Sequence, residues 1–207
     1  MSHYFSEQPI VTSDERELDI DLVDPPLHLR TDRGVFSHGR LDAGTELLLR
    51  QAPAPPPCGS FLDLGCGAGA IALTLARRAP ASRVTAVDTN ERARRLCAAN
   101  ALRNGLSNVD VRGPDDVDPS LRFDLIWSNP PIRIGKPRLH ELLVAWLGRM
   151  TPRGTAVLVV QKHLGSDSLQ RWLSAGGWPA ERLASSKGYR LIAVASNPRR
   201  VDGDADP

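Results

Sequence analysis

A chain of 207 residues, 41% apolar and 24% charged, is long enough to bury one substantial core and too ordinary in composition to be disordered throughout. The formal charge of +2 excludes a strongly basic nucleic-acid binder, and no run approaches the ~18 apolar residues that span a bilayer. Only Lys136, Lys162 and Lys187 among the basic residues are lysine; a GC-rich coding bias explains that skew more simply than selection for phosphate contacts.

The N-terminus carries charges and no apolar signal segment, and three cysteines (Cys58, Cys66, Cys97) have neither even number nor metal-ligand spacing. Both features suit reduced thiols in a soluble, cytoplasmic protein. His3 to Pro9 reads as a surface arm. Glu17 to Val23 alternates apolar and charged residues as a half-buried strand does, Asp24-Pro25-Pro26 is a turn, and Leu27 to Arg30 returns as a second strand. Asp42 caps a helix through Leu47, Leu48 and Leu49, and Pro53 to Pro57 is a stiff linker. Residues 1–52 are thus expected as a hairpin-and-helix extension on a domain at 58–197, with 198–207 a polar, disordered tail.

From Ser60 strands and helices alternate. Strands are expected at Phe61–Leu64, Arg83–Val87, Val109–Arg112, Phe123–Trp127 and Ala156–Gln161, and helices at Gly69–Ala79, Glu91–Asn104, Arg138–Met150 and Asp167–Ala175. Glu181–Ser185 and Tyr189–Ala195 read as a closing hairpin around Lys187-Gly188. The fold class is α/β: a Rossmann-like, doubly wound, mostly parallel sheet, with the hairpin adding one antiparallel strand at an edge.

Two stretches carry chemistry. Phe61 to Leu73, FLDLGCGAGAIAL, is a strand, a glycine turn and a helix start, where a ligand can approach the backbone and the helix N-terminus favours an electron-rich group. The turn satisfies G-x-G-x-x-A, so a nicotinamide dinucleotide is one reading. Asp63 points elsewhere: a carboxylate two residues before the first glycine faces an ammonium better than a pyrophosphate. S-adenosyl-L-methionine carries an ammonium and a sulfonium and no phosphate. Asp88 ends the next strand, where a ribose would sit, and Asp115 and Asp116 follow the third, where an adenine amino group would be received. Each acid also has a plain structural reading, as a turn or helix cap or as a solvated loop.

The second stretch, FDLIWSNPPIRIGK, ends a buried strand in Asn129-Pro130-Pro131. Two prolines remove two N–H donors and stiffen the turn, leaving carbonyls for a planar –NH2 group beside a methyl sulfonium. The alternative is a rigid strand-to-helix connection. The four tryptophans read as packing residues, and no histidine is assigned to a metal.

These residues resemble the class I (Rossmann-like) S-adenosylmethionine-dependent methyltransferases of the Asn-Pro-Pro, amino-methylating kind. HYFSEQP, LRTDRGVFSHGRLDAGTELLL and SNPPIRIGK are similar to the small-subunit ribosomal RNA guanine-N2 methyltransferases and their single-domain relatives. The resemblance implies a seven-stranded sheet with strand seven antiparallel. It implies that Asp63, Gly65 and Gly67 hold the methionine end, Asp88 the ribose and Asp115 the adenine, under Gly34, Val35 and Phe36. Asn129 would hold the target amino group, next to the cofactor, with help from the Pro130 carbonyl. Ile132 stands where many relatives carry an aromatic, and it offers no π-face. The duplicated N-terminal domain of longer members is absent from this sequence, so RNA capture would fall to Ile132, Arg133, Lys136, Arg138 and Lys162. Protein glutamine or a small-molecule amine is an alternative acceptor, and a non-catalytic cofactor- or RNA-binding module an alternative of another class.

Overall fold

The computed structural model describes residues 12–36 and 39–197, with Arg133 in backbone only. The expected arm at His3 to Pro9 and the tail at 198–207 lie outside the described residues. β1 (Arg16–Ile20) and β2 (Leu27–Thr31) form an antiparallel pair, Arg16 opposite Thr31 and Ile20 opposite Leu27. β2 buries Leu27, Leu29 and Thr31 and exposes His28 and Arg30, as period-two alternation requires. α1 (Ala43–Gln51) starts where Asp42 accepts the N–H groups of Gly44 and Thr45.

The remaining elements are β3 (Ser60–Leu64), α2 (Ala70–Arg78), β4 (Arg83–Val87), α3 (Glu91–Arg103), β5 (Val109–Arg112), β6 (Phe123–Ser128), α4 (Lys136–Leu147), β7 (Met150–Gln161), α5 (Ser166–Ala175), β8 (Ala180–Ser186) and β9 (Tyr189–Ala195). They build a seven-stranded sheet in the order β5-β4-β3-β6-β7-β9-β8. The sheet is the expected mostly parallel one. β9 is antiparallel to both neighbours and sits one place in from the edge, between β7 and β8. Burial decides that order: Leu191, Ile192 and Val194 of β9 are buried, whereas β8 is mostly exposed.

Boundaries moved where local chemistry outweighed hydrophobic pattern. α4 begins at Lys136 because Pro137 fits a first helical turn, and it ends before Gly148. β7 reaches back to Met150, with a register irregularity opposite Phe123 and Leu125.

Successive residues of the central strands point to opposite faces. Phe61, Leu125, Trp127, Val157 and Val159 pack against α1, α2 and α3. Leu62, Ile126, Leu158 and Val160 pack against α4 and α5. Ile20, Leu27, Leu29 and the α1 leucines belong to the first of these cores, so the N-terminal hairpin and helix share apolar packing with the sheet. Among the described residues no helix is long and apolar enough to cross a membrane.

The chain runs outward from β3 through β4 to β5, then crosses to the other side of β3 to lay down β6. The gap between β3 and β6 is therefore the topological switch point, where open α/β sheets hold ligands. Leu64 lies opposite Ser128 in parallel register, so the turns after β3 and β6 emerge side by side. The Ser128 hydroxyl donates to the Leu64 carbonyl at 2.6 Å and fixes the two strand ends together.

Candidate active site

Gly65, Gly67 and Gly69 all take positive φ (83°, 52° and 99°), a conformation that side chains with a Cβ disfavour. Their surroundings differ. A Cβ on Gly65 or Gly67 would meet nothing nearer than the Asn129 carbonyl oxygen at 3.9 Å or Val35 Cγ1 at 4.0 Å. A Cβ on Gly69 would strike Leu73 at 2.7 Å and Cys97 at 2.9 Å. The first two glycines face open space, and the third permits close packing of α2 on α3.

Four N–H groups of this turn bond within the fold. Gly65 and Cys66 donate to the Val87 carbonyl, Gly67 to Asp88 Oδ2 and Gly69 to the Cys66 carbonyl. In α2, the Ala72 N–H donates to Asp63 Oδ2 at 2.8 Å. The start of α2, at Ala70 and Ile71, lines the cleft beside this turn.

Asp63 is fully buried, and its Oδ1 has no hydrogen-bond partner among the described residues. Burial, reinforced by the nearby Asp88 carboxylate against the Ala72 hydrogen bond, pushes its pKa up to about 8. Asp88 accepts from Gly67 N at 2.9 Å and Asn90 N at 2.9 Å, and burial raises its pKa as well. Each carboxylate oxygen retains a lone pair for a further donor. The capping reading of Asp63 and Asp88 is thus half of the truth: each carboxylate orders its own turn and keeps acceptor capacity.

Residues 32–36 cross above this turn. The Gly34 carbonyl accepts from Asn90 Nδ2 at 2.8 Å, Val35 packs with Ala68, Ala93 and Leu96, and Phe36 stands half exposed on the rim of the cleft. Asp115 and Asp116 are exposed on a 3-10 turn at Pro114–Asp116. Asp116 Oδ2 closes that turn by accepting from Gly113 N, whereas no such bond engages the Asp115 carboxylate among the described residues.

Asn129 lines the same cleft as Gly65, Gly67, Phe36 and Thr45. Its Nδ2 donates to Asp42 Oδ2 at 2.9 Å and to Thr45 Oγ1 at 3.1 Å. The following turn uses its own carbonyls: Pro130 O accepts from Ile132 N at 2.8 Å and Pro131 O from Ile134 N at 3.1 Å. With Pro131 at φ −74° and ψ 73° the first of these is an inverse γ-turn. The Pro130 carbonyl keeps one lone pair for a substrate. Ile132 and Lys136 lie apart from the glycine turn, beside an adjoining groove that also includes His140 and Leu164; Arg138 and Lys162 are exposed. The Arg133 side chain lies outside the described residues.

Asn129 lines the cleft, and the Asp63 and Asp88 carboxyls bond to the backbone of the turn and helix that bound it. A carboxyl inside the strand at Asp63 suits a cationic ligand with hydroxyl and amino groups better than a pyrophosphate. S-adenosylmethionine, with its ammonium, sulfonium and ribose hydroxyls, is such a ligand.

Residues 14–193 match the methyltransferase small domain family. The chain belongs to that family. Its members are S-adenosylmethionine-dependent methyltransferases, and S-adenosyl-L-methionine is the cofactor. The methyltransferase is 34% identical over 193 residues to the uncharacterized protein YbxB of Bacillus subtilis (strain 168), covering 92% of this chain and 96% of that one. It is 43% identical over 129 residues to ribosomal RNA small subunit methyltransferase C of Pseudomonas putida (strain GB-1), covering 62% of this chain and 38% of the relative. The chain spans about half or less of the length of such relatives. The T. thermophilus 16S rRNA N2 G1207 methyltransferase, solved with AdoMet and guanosine, shares the fold at a TM-score of 0.76 and 24% identity, over 91% of this chain and 52% of that one.

Asp42 was legible in the sequence as a helix cap only, and its bond to Asn129 was not. Thr45 was missed altogether. Nothing local signals either contact, since the partners stand 87 and 84 residues apart.

Proposed function

We propose that the protein transfers a methyl group to an exocyclic amino nitrogen of RNA, guanine N2 of small-subunit ribosomal RNA. The observation that carries this reading is the placement of Asn129 on the cleft that Gly65 and Gly67 open. The bound cofactor supplies an electrophilic methyl on its sulfonium. Asp63, Gly65 and Gly67 hold the methionine end, Asp88 the ribose and Asp115 the adenine, with Phe36 covering the site.

Asn129 Oδ1 and the Pro130 carbonyl accept the two protons of the target –NH2. Gripping both protons in one plane turns the nitrogen lone pair toward the methyl carbon, an orientation effect that needs no strong base. Methyl transfer from sulfur would leave positive charge on that nitrogen, which the Asn129 and Pro130 carbonyls would stabilise until one proton leaves to solvent. Ile132 packs against the base, and Arg133 and Lys136 meet phosphates.

The names of the Pseudomonas relatives and of the T. thermophilus enzyme support RNA and guanine N2. The test is transfer from labelled S-adenosylmethionine to under-methylated small-subunit RNA, followed by nucleoside analysis. N2-methylguanosine is expected. Label confined to protein glutamine, or absent from RNA, would overturn the reading.

A further inference from the structure

An asparagine presents an oxygen and an –NH2 of nearly equal shape, and only the oxygen serves a reaction that must grip a substrate amino group. Nothing in the Asn-Pro-Pro turn itself chooses between them. The choice is made from outside, by the first turn of α1.

We propose that Asp42 and Thr45 are positioning residues that take both N–H bonds of Asn129 and thereby present its carbonyl oxygen, never its –NH2, to the substrate. A carboxylate oxygen only accepts, so Asp42 Oδ2 at 2.9 Å from Asn129 Nδ2 fixes which end of the amide faces α1. Thr45 Oγ1 at 3.1 Å takes the second proton. With both protons committed, Asn129 has no donor left to oppose those of the incoming amino group.

The clamp is itself held. Asp42 Oδ2 also accepts from Gly44 N and Thr45 N, and Oδ1 accepts from the Tyr189 hydroxyl at 3.3 Å. The Tyr189 ring lies so close to Gly44 that a Cβ there would meet it at 2.7 Å. Three segments distant in sequence (the start of α1, the turn after β6 and the start of β9) therefore converge on one carboxylate. A helix cap alone needs none of the bonds to Asn129 or Tyr189.

The proposal rests on the role of Asn129 given above, and a double-mutant cycle separates the two. Asp42→Ser keeps a capping oxygen for α1 but is too short to reach Asn129. Thr45→Val removes the acceptor at constant shape, and Thr45→Ser restores it. In the full chain, Asp42→Ser and Thr45→Val are each expected to lower kcat at least ~10-fold at unchanged cofactor Kd, and Thr45→Ser to recover most of the Thr45→Val loss. In an Asn129→Ala background neither substitution should lower kcat further, because residues acting through one group are non-additive.

Wild-type kcat in both single variants, with Asn129→Ala impaired, would overturn the clamp and leave the role of Asn129 standing. Multiplicative losses in the double variants, or no recovery in Thr45→Ser, would show an ordinary stability contribution and also overturn it. Full turnover in Asn129→Ala would remove both readings together. Circular dichroism and the cofactor Kd of each variant establish that the compared proteins are folded; if Asp42→Ser is not, the Thr45 pair and its cycle decide alone.

Discussion

Asp63 is the residue whose environment is most at odds with its charge. It was legible in the sequence as an acid where a dinucleotide site carries an apolar residue. A capping bond was among its readings, but its full burial and the choice of Ala72 as partner were not legible, because they depend on how α2 folds back over β3. A carboxyl whose folded pKa is raised from 3.8 to about 8 holds its proton in the fold and releases it on unfolding across that interval. Its contribution to stability is therefore fully present below about pH 4 and lost as pH rises through about 8. An ammonium bound beside it favours the ionised form, so cofactor binding expels the proton and tightens as pH rises toward 8. Thermal melts of the cofactor-free protein from pH 6 to 8 are expected to fall in Tm, and titration calorimetry to show proton release with affinity rising by up to ~10-fold per pH unit. Asp63→Asn keeps an acceptor for Ala72; it is expected to flatten both profiles and weaken binding at pH 8. Asp88, also raised by burial, adds a residual slope of the same sign. Identical profiles in Asp63→Asn and the wild type would contradict this assignment.

At the scale of elements, the alternation was readable because the central strands are short apolar runs and α1 and α3 start at the capping residues Asp42 and Asn90, whereas the start of α4, which has no side-chain cap, was misplaced by two residues. The means by which the N-terminal hairpin stays over the site were not readable. Asn100 Oδ1 accepts from Arg30 N while its Nδ2 donates to Arg30 O and Ala68 O; Asn104 Oδ1, one turn on, accepts from His28 N while its Nδ2 donates to His28 O. A side chain of α3 and the residue capping its C-terminus thus satisfy the outer edge of β2 as a third strand would, at separations of 70 and 76 residues that no local pattern reveals. Asn100 is almost completely buried and also ties the hairpin to the glycine turn through Ala68. Replacing it by alanine strands three backbone groups, each costing about 1–3 kcal/mol when buried. Asn100→Ala is expected to destabilise the protein by about 3 kcal/mol in denaturant titrations, whereas the half-exposed Asn104→Ala costs less. Equal costs at the two positions would contradict the zipper.

For the whole molecule, the order of strands matters more than any one of them. Because β6 is laid beside β3 on the side away from β4, the glycine turn and the Asn-Pro-Pro turn open onto one cleft. The two motifs announced themselves in the sequence through their own glycines and prolines. Their meeting followed only from the doubly wound topology, which alternating elements imply. The insertion of β9 between β7 and β8 brings Tyr189 to α1, and with it the third anchor on Asp42. A cofactor turn, an amide and a helix start are thus joined in one device, in which we propose that the Asn129 carbonyl grips the amino group that receives the methyl. The direct measurement is Asn129→Ala assayed for both binding and turnover. Cofactor Kd within about 3-fold of wild type and kcat reduced at least ~100-fold, the scale of losing one positioned polar group in a transition state, is the predicted result. Unchanged turnover with cofactor bound would contradict it.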